Sequence, residues 1–188
     1  ENFCVLKVLS ESSVKDFDLI LRRIFLLLTD ASSDLVRGAS KGDKYLIESL
    51  EEKHNTITKF IANALRLLNK GGYPDYKKTA LLYHIIESLD TVNDTLKETA
   101  RDIVNSNIKI SKPCDNILQR INVSIHDYYN LFYKFDFKLI EKLSSDRYRI
   151  LNDVKLLSKK LNKDELRILL NQARIIDSLY TLKISRMA

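Results

Sequence analysis

YHIIESLDTVNDTLKETARD (Tyr83–Asp102) carries two patterns at once. Leu82, Ile85, Leu89, Val92, Leu96 and Ile103 recur at the i, i+3/i+4, i+7 spacing of an amphipathic helix. At about 100° per residue they gather in one wedge, and Glu87, Asp90, Asp94 and Glu98 stack turn upon turn on the opposite side. Like charges four apart destabilise a helix by roughly 0.2–0.5 kcal/mol a pair, so the column needs a reason. Lys97 and Arg101 can relieve its lower half, while nothing basic stands one turn from Asp90. A solvated face is one reading. The other sets a cation against Asp90 and Asp94, since hard metals take carboxylate oxygens from adjacent turns or helices.

The rest of the chain is helical by the same criteria. Its 188 residues include only 4 Gly and 2 Pro, too few to punctuate a many-stranded fold. A chain this long buries roughly 70% of its unfolded surface and needs no disulfide or metal to hold a core. Cys4 and Cys114 are expected to be free thiols, and His54, His84 and His126 form no close metal-binding pattern. Net charge is +6. Residues 1–112 hold 17 basic against 16 acidic side chains, and residues 113–188 hold 14 against 9. That mild bias falls short of the dense basic clusters expected of nucleic-acid binding. No apolar run approaches a membrane span, and no signal peptide is visible. A start at Glu1 rather than Met is expected of a chain that lacks its beginning.

In chain order, residues 1–13 read as an extended arm. A first helix over about 14–40 ends at Gly38 and Gly42, and a second over about 43–70 stops at Gly71-Gly72. Glu48, Glu51 and Glu52 project away from the second helix's apolar face, and His54 at its edge is expected to be a satisfied, half-buried histidine. The third helix spans about 75–106. NSNIKISKP (105–113) is a linker, with Pro113 suited to a first helical turn. A fourth helix over about 113–143 carries an aromatic stripe, Tyr128 to Phe137, expected to be core. Ser144-Ser145-Asp146 is expected to cap a fifth helix to about Lys160, and Asn162 with Glu165 the sixth, over about 163–186. The fold class is all-α, two tandem three-helix bundles, with units at 14–107 and 108–188.

HIIESLDT (84–91) aligns with RIIDSLYT (174–181) at an offset of 90, which supports a duplication. Glu87 matches Asp177, but Asp90 matches Tyr180 and Asp94 matches Ile184. With Leu166, Leu170 and Ala173 nearby, the sixth helix is expected to be buried on more than one side. Tyr180 and Ile184 are therefore candidate contacts with another chain or domain.

Two three-helix units with an acid–x₃–acid signature on the third helix resemble the PhoU family of phosphate-uptake regulators. SLDTVNDTLKETARDI (88–103) is the matching run, and IESLEEKHNTITKFIANALRLLNKG is similar to the family's preceding helix. The resemblance implies that Asp90 and Asp94, with Glu48 and Glu52, are a metal-binding set for iron, zinc or another divalent or ferric ion. Tyr180 and Ile184 stand where a second cluster would need acids. It further implies a non-enzymatic cytoplasmic regulator that docks on the phosphate transporter's ATPase or a sensor protein, with a homodimer expected. Glu51, Glu87 and Glu98 extend the expected docking face. LRRIFLLL and LRLLNK look closest to archaeal members, some of which carry an AbrB-type DNA-binding domain ahead of the helices. The alternatives are a plain dimerising bundle without ligand, or a di-metal carboxylate enzyme. The second needs inward Glu-x-x-His pairs, of which Glu51/His54 is the single forward example.

Overall fold

The computed structural model describes residues 14–185, with side chains from 16 to 183. The expected N-terminal arm lies outside the described residues. The chain is all-α. In order come α1 (Val14–Lys41), a short α2 (Lys44–Glu48), α3 (Leu50–Gly71), α4 (Thr79–Ser106), α5 (Lys112–Tyr133), α6 (Phe137–Leu157) and α7 (Lys163–Ser185). A 3-10 turn at Tyr76–Lys78 leads into α4. The six long helices correspond to the six read from sequence.

Helix α1 packs on α3 and α4, and α5 packs on α6 and α7. The two sets meet along α1–α5 and α4–α7 and share one hydrophobic core. The repeat lies in that core. Ile85, Ile86 and Leu89 on α4 are buried, as are their counterparts Ile175, Ile176 and Leu179 on α7. Even the polar position repeats, for the Thr91 hydroxyl donates to the Glu87 carbonyl at 3.2 Å and the Thr181 hydroxyl to that of Asp177 at 3.1 Å. The full apolar wedge of α4, from Leu82 to Ile103, is buried. At roughly 25 cal/mol per Å² of apolar surface removed from water, this wedge is what fixes α4 at the centre.

The α1–α2 corner depends on Gly38. A Cβ there would stand 2.7 Å from Cγ1 of buried Ile47, so only glycine lets the two elements meet. Gly42 then takes a left-handed φ of 67°, and the Asp43 carboxylate caps α2 by accepting from Leu46 N at 3.1 Å. The expected second helix is interrupted at Ser49, whose hydroxyl turns back to the Leu46 carbonyl at 2.7 Å.

The fourth helix ends ten residues earlier than expected. Lys134 is extended (φ −135°, ψ 108°), and Asp136 starts α6 by accepting from Lys138 N at 2.8 Å. Ser144 is not a cap. It sits inside α6 with its hydroxyl on the Ile140 carbonyl at 2.8 Å. The aromatic stripe divides at this corner. Tyr128 is buried, and Tyr129 and Phe132 pack around Phe25. Tyr133, Phe135 and Phe137 are exposed, the last two edge-to-face at 4.9 Å.

The sixth-helix cap is as expected. Asn162 Oδ1 accepts from Glu165 N at 2.8 Å and Asn162 Nδ2 donates to Glu165 Oε2 at 3.0 Å. Glu165 is itself buried, and its other oxygen accepts from Ser111 N at 2.7 Å, which ties the linker to the head of α7. Cys114 is buried and free, and burial pushes its thiol up to about 12, so it is inert packing. Cys4 lies outside the described residues.

Candidate functional site

The apolar wedge of α4 is held by α1, α3 and α7, which leaves Glu87, Asp90, Asp94 and Glu98 as the ridge on its outer side. Glu87 and Glu98 are exposed, and Asp90 and Asp94 are half-buried. The lower half of the ridge is neutralised. Asp94 Oδ1 lies 2.8 Å from His54 Nε2 on α3 and 2.8 Å from Lys97 Nζ one turn on. Lys97 Nζ is also 3.0 Å from His54 Nε2, a nitrogen that can either donate to Asp94 or accept from Lys97, never both. Glu98 pairs across the seam with Arg174 of α7 at 3.7 Å.

The upper half is not neutralised. Among the described residues, neither Glu87 nor Asp90 forms an ion pair. The contrast shows in the carboxyl pKa values. Partial burial raises that of Asp90, and the neighbouring charges of Asp94 and Glu87 raise it further. Burial works in the same direction on Asp94, but hydrogen bonds from Lys97 and His54 outweigh it and hold that carboxyl below the usual range. The isolation of Asp90 was visible in the sequence. The partnership of Asp94 with His54 was not, because it joins two helices.

On α3, Glu51 makes a two-pronged pair with Arg101, at 2.9 Å from Nε and 2.6 Å from Nη2, which lowers its pKa. Glu52 is exposed and unpaired among the described residues. Glu48 forms a long pair with Lys44 at 3.7 Å and shares a cleft with Ala100, Arg101 and Asn105. That places it ten residues or more along α4 from Asp90, about 15 Å or more along the axis. His54 is, as expected, a satisfied half-buried side chain.

This geometry bears on the expected metal set of Glu48, Glu52, Asp90 and Asp94. Glu48 and Asp90 lie at different levels of the bundle, and Asp94 is engaged by a lysine and a histidine. Among the described residues, no group of three or more His, Cys, Asp or Glu side chains is placed to hold a metal ion. The four acids do not fit one ligand set as they stand. Glu51 and His54 likewise face different partners rather than a common centre.

The second expected face, on α7, is built differently from its sequence reading. Its outward stripe runs Lys163, Arg167, Leu170, Arg174, Asp177, Thr181, all exposed. Ala173 is buried and Leu166 half-buried, and α4, α5 and α6 of the same chain supply the covering surfaces. Tyr180 is half-buried against cations of its own chain, with the Arg147 guanidinium 4.7 Å and Lys183 Nζ 4.1 Å from its ring centre. Arg147 also pairs with Asp177 at 2.7 Å. The side chain of Ile184 lies outside the described residues. Arg147, Arg167 and Arg174 are the site residues that the sequence reading missed. Helical spacing on one element gives no sign of pairs formed between elements.

No protein-family model matches the chain, and no curated protein is similar to it in sequence. Solved structures are similar in fold. The phosphate transport system regulatory protein PhoU from Streptococcus pneumoniae superposes with a TM-score of 0.72 at 13% identity, over 93% of this chain and 93% of that one. A PhoU-like protein from Shewanella oneidensis MR-1 gives 0.55 at 14% identity, over 96% and 97%. A PhoU-like phosphate regulatory protein from the same organism gives 0.54 at 14%, over 97% of both. At such identities the likeness is one of fold, the PhoU-like arrangement of six long helices. Among the described residues, no helix is long and apolar enough to cross a membrane.

Proposed function

We propose that this chain is a non-enzymatic cytoplasmic regulator of phosphate uptake that acts by docking on another protein. Its partner would be the ATPase of a phosphate transporter or an associated sensor. The observation that carries the reading is the likeness in fold, over nearly the whole length of both chains, to a protein described as a phosphate transport regulator. The site chemistry supports it. Among the described residues, the α4 ridge offers two carboxylates without an ion pair, Glu87 and Asp90, beside exposed Tyr83 and His84.

In this mechanism Glu87 and Asp90 meet a basic patch on the partner, while His54, Lys97 and Arg174 hold the rest of the ridge in place. Charge pairs of this kind set encounter rate and register more than raw affinity. Asp90 suits the role because its carboxylate is uncompensated in the free protein, and a partner's lysine or arginine would relieve it. The test is binding of the purified chain to the phosphate-transporter ATPase from the same genome, before and after Glu87→Lys with Asp90→Lys. The reading requires binding by the native chain and a loss of about tenfold or more on charge reversal. Absence of binding to that ATPase and to the cognate sensor would overturn it.

A further inference from the structure

At the opposite end of the bundle from the free half of the α4 ridge, the turn between α1 and α2 faces the α4–α5 linker across a cavity of about 460 Å³. Lys41, Lys44 and Lys109 line it, and no carboxylate does. Its remaining wall is apolar, chiefly Ile47, Ile103 and Ile108, with the Asn107 amide at the edge. We propose that this cavity binds a small phosphate-bearing molecule, the phosphate against the three lysines and any organic body against the isoleucines.

Local structural needs account for Lys41 alone among these charges. Lys41 lies in the last turn of α1, where a cation suits the helix dipole. Lys44 opens α2, where the dipole disfavours a cation, and Lys109 stands in the linker beyond α4. Neither Lys41 nor Lys109 forms an ion pair among the described residues. The one pair at the site, Lys44 with Glu48 at 3.7 Å, joins two largely exposed side chains and neutralises little. On the rim, Ser40 donates its hydroxyl to Asp115 and accepts from Gln119 Nε2 at 3.3 Å, so that carboxylate is already engaged. Three like charges around one concavity repel one another unless an anion joins them. Lysines are point-charge donors that approach an anion from several directions, and a phosphate offers them more oxygens and more charge than a carboxylate does. The size is that of a small-molecule site.

The inference is independent of the docking reading. Its test is calorimetric titration of the full chain with inorganic pyrophosphate and, separately, with ADP. Both should bind one to one, and Lys41→Gln/Lys44→Gln/Lys109→Gln should weaken both by about tenfold or more, since hydrogen bonds to charged groups are strong. These lysines are at the surface, so the variant should keep its fold by circular dichroism. Tighter binding of ADP assigns the site to an organic phosphate, and tighter binding of pyrophosphate assigns it to an inorganic one. The charge-matched control Lys59→Gln/Lys70→Gln/Lys138→Gln should bind as the native chain does. Binding of neither probe, unchanged binding in the cavity variant, or equal loss in the control would overturn the proposal.

Discussion

His54 Nε2 and Asp94 Oδ1 stand 2.8 Å apart across the α3–α4 interface, and the contact ties the ridge to its neighbour. With its pKa held below the usual carboxylate range, Asp94 stabilises the fold when ionised. The contribution is full above the unfolded carboxyl pKa and is lost as pH falls through the lower, folded value. Asp94→Asn should therefore cost stability at neutral pH, about 1 kcal/mol or less because the group is half exposed. Chemical denaturation of both proteins from pH 7 downward should show the gap closing only in acid.

Asp90→Asn should act in the opposite direction. The folded pKa of Asp90 is raised, so its ionised form is disfavoured in the fold. The penalty is full above the folded pKa and is gone below the unfolded one. Removing the charge should raise Tm at neutral pH by up to about 3 °C, and the gain should vanish in acid. Two aspartates one turn apart, with opposite signs of effect, separate this account from a uniformly solvated ridge.

Gly38 should not accept a side chain. Gly38→Ala sets a methyl group 2.7 Å from Ile47 Cγ1 and should destabilise the chain by about 1–3 kcal/mol. Ile47→Ala removes the obstructing atom, so the double variant should be less damaged than the sum of the two single ones. Urea denaturation of all four proteins in a double-mutant cycle reads this coupling.

Between α4 and α7, Gln172 Nε2 donates to Thr99 Oγ1 at 2.8 Å, with both residues buried. Gln172→Ala leaves a cavity and a weakened polar contact in the seam, and should cost about 1–3 kcal/mol. Hydrogen exchange on α4 and α7 should rise together, because the seam joins the two helical sets.

The sequence was most informative where one helix decides its own environment. The wedge from Leu82 to Ile103 was legible because burial there follows the 3.6-residue period. Gly71-Gly72 and the Asn162–Glu165 cap marked their boundaries for equally local reasons. The α5–α6 corner was not legible, since neither Gly nor Pro stands between Tyr133 and Phe137, and the stop depends on an Asp136 cap inside an aromatic run. The carboxylate ridge was legible as a ridge, yet its neutralisation was not. Asp94 with His54, Glu51 with Arg101 and Glu98 with Arg174 each pair across helices far apart in sequence. The same limit governed α7, where Tyr180 reads as a contact with another chain or domain and its approach to Arg147 and Lys183 has no sign in helical spacing.

We propose the unpaired end of the α4 ridge, Glu87 and Asp90, as the surface that meets the partner. Surface plasmon resonance of the immobilised chain against the phosphate-transporter ATPase tests it most directly, with native, Glu87→Lys/Asp90→Lys and Asp177→Lys proteins side by side. Saturable binding should fall by about tenfold or more in the α4 variant and stay unchanged in the α7 one. Equal binding by all three proteins would contradict it.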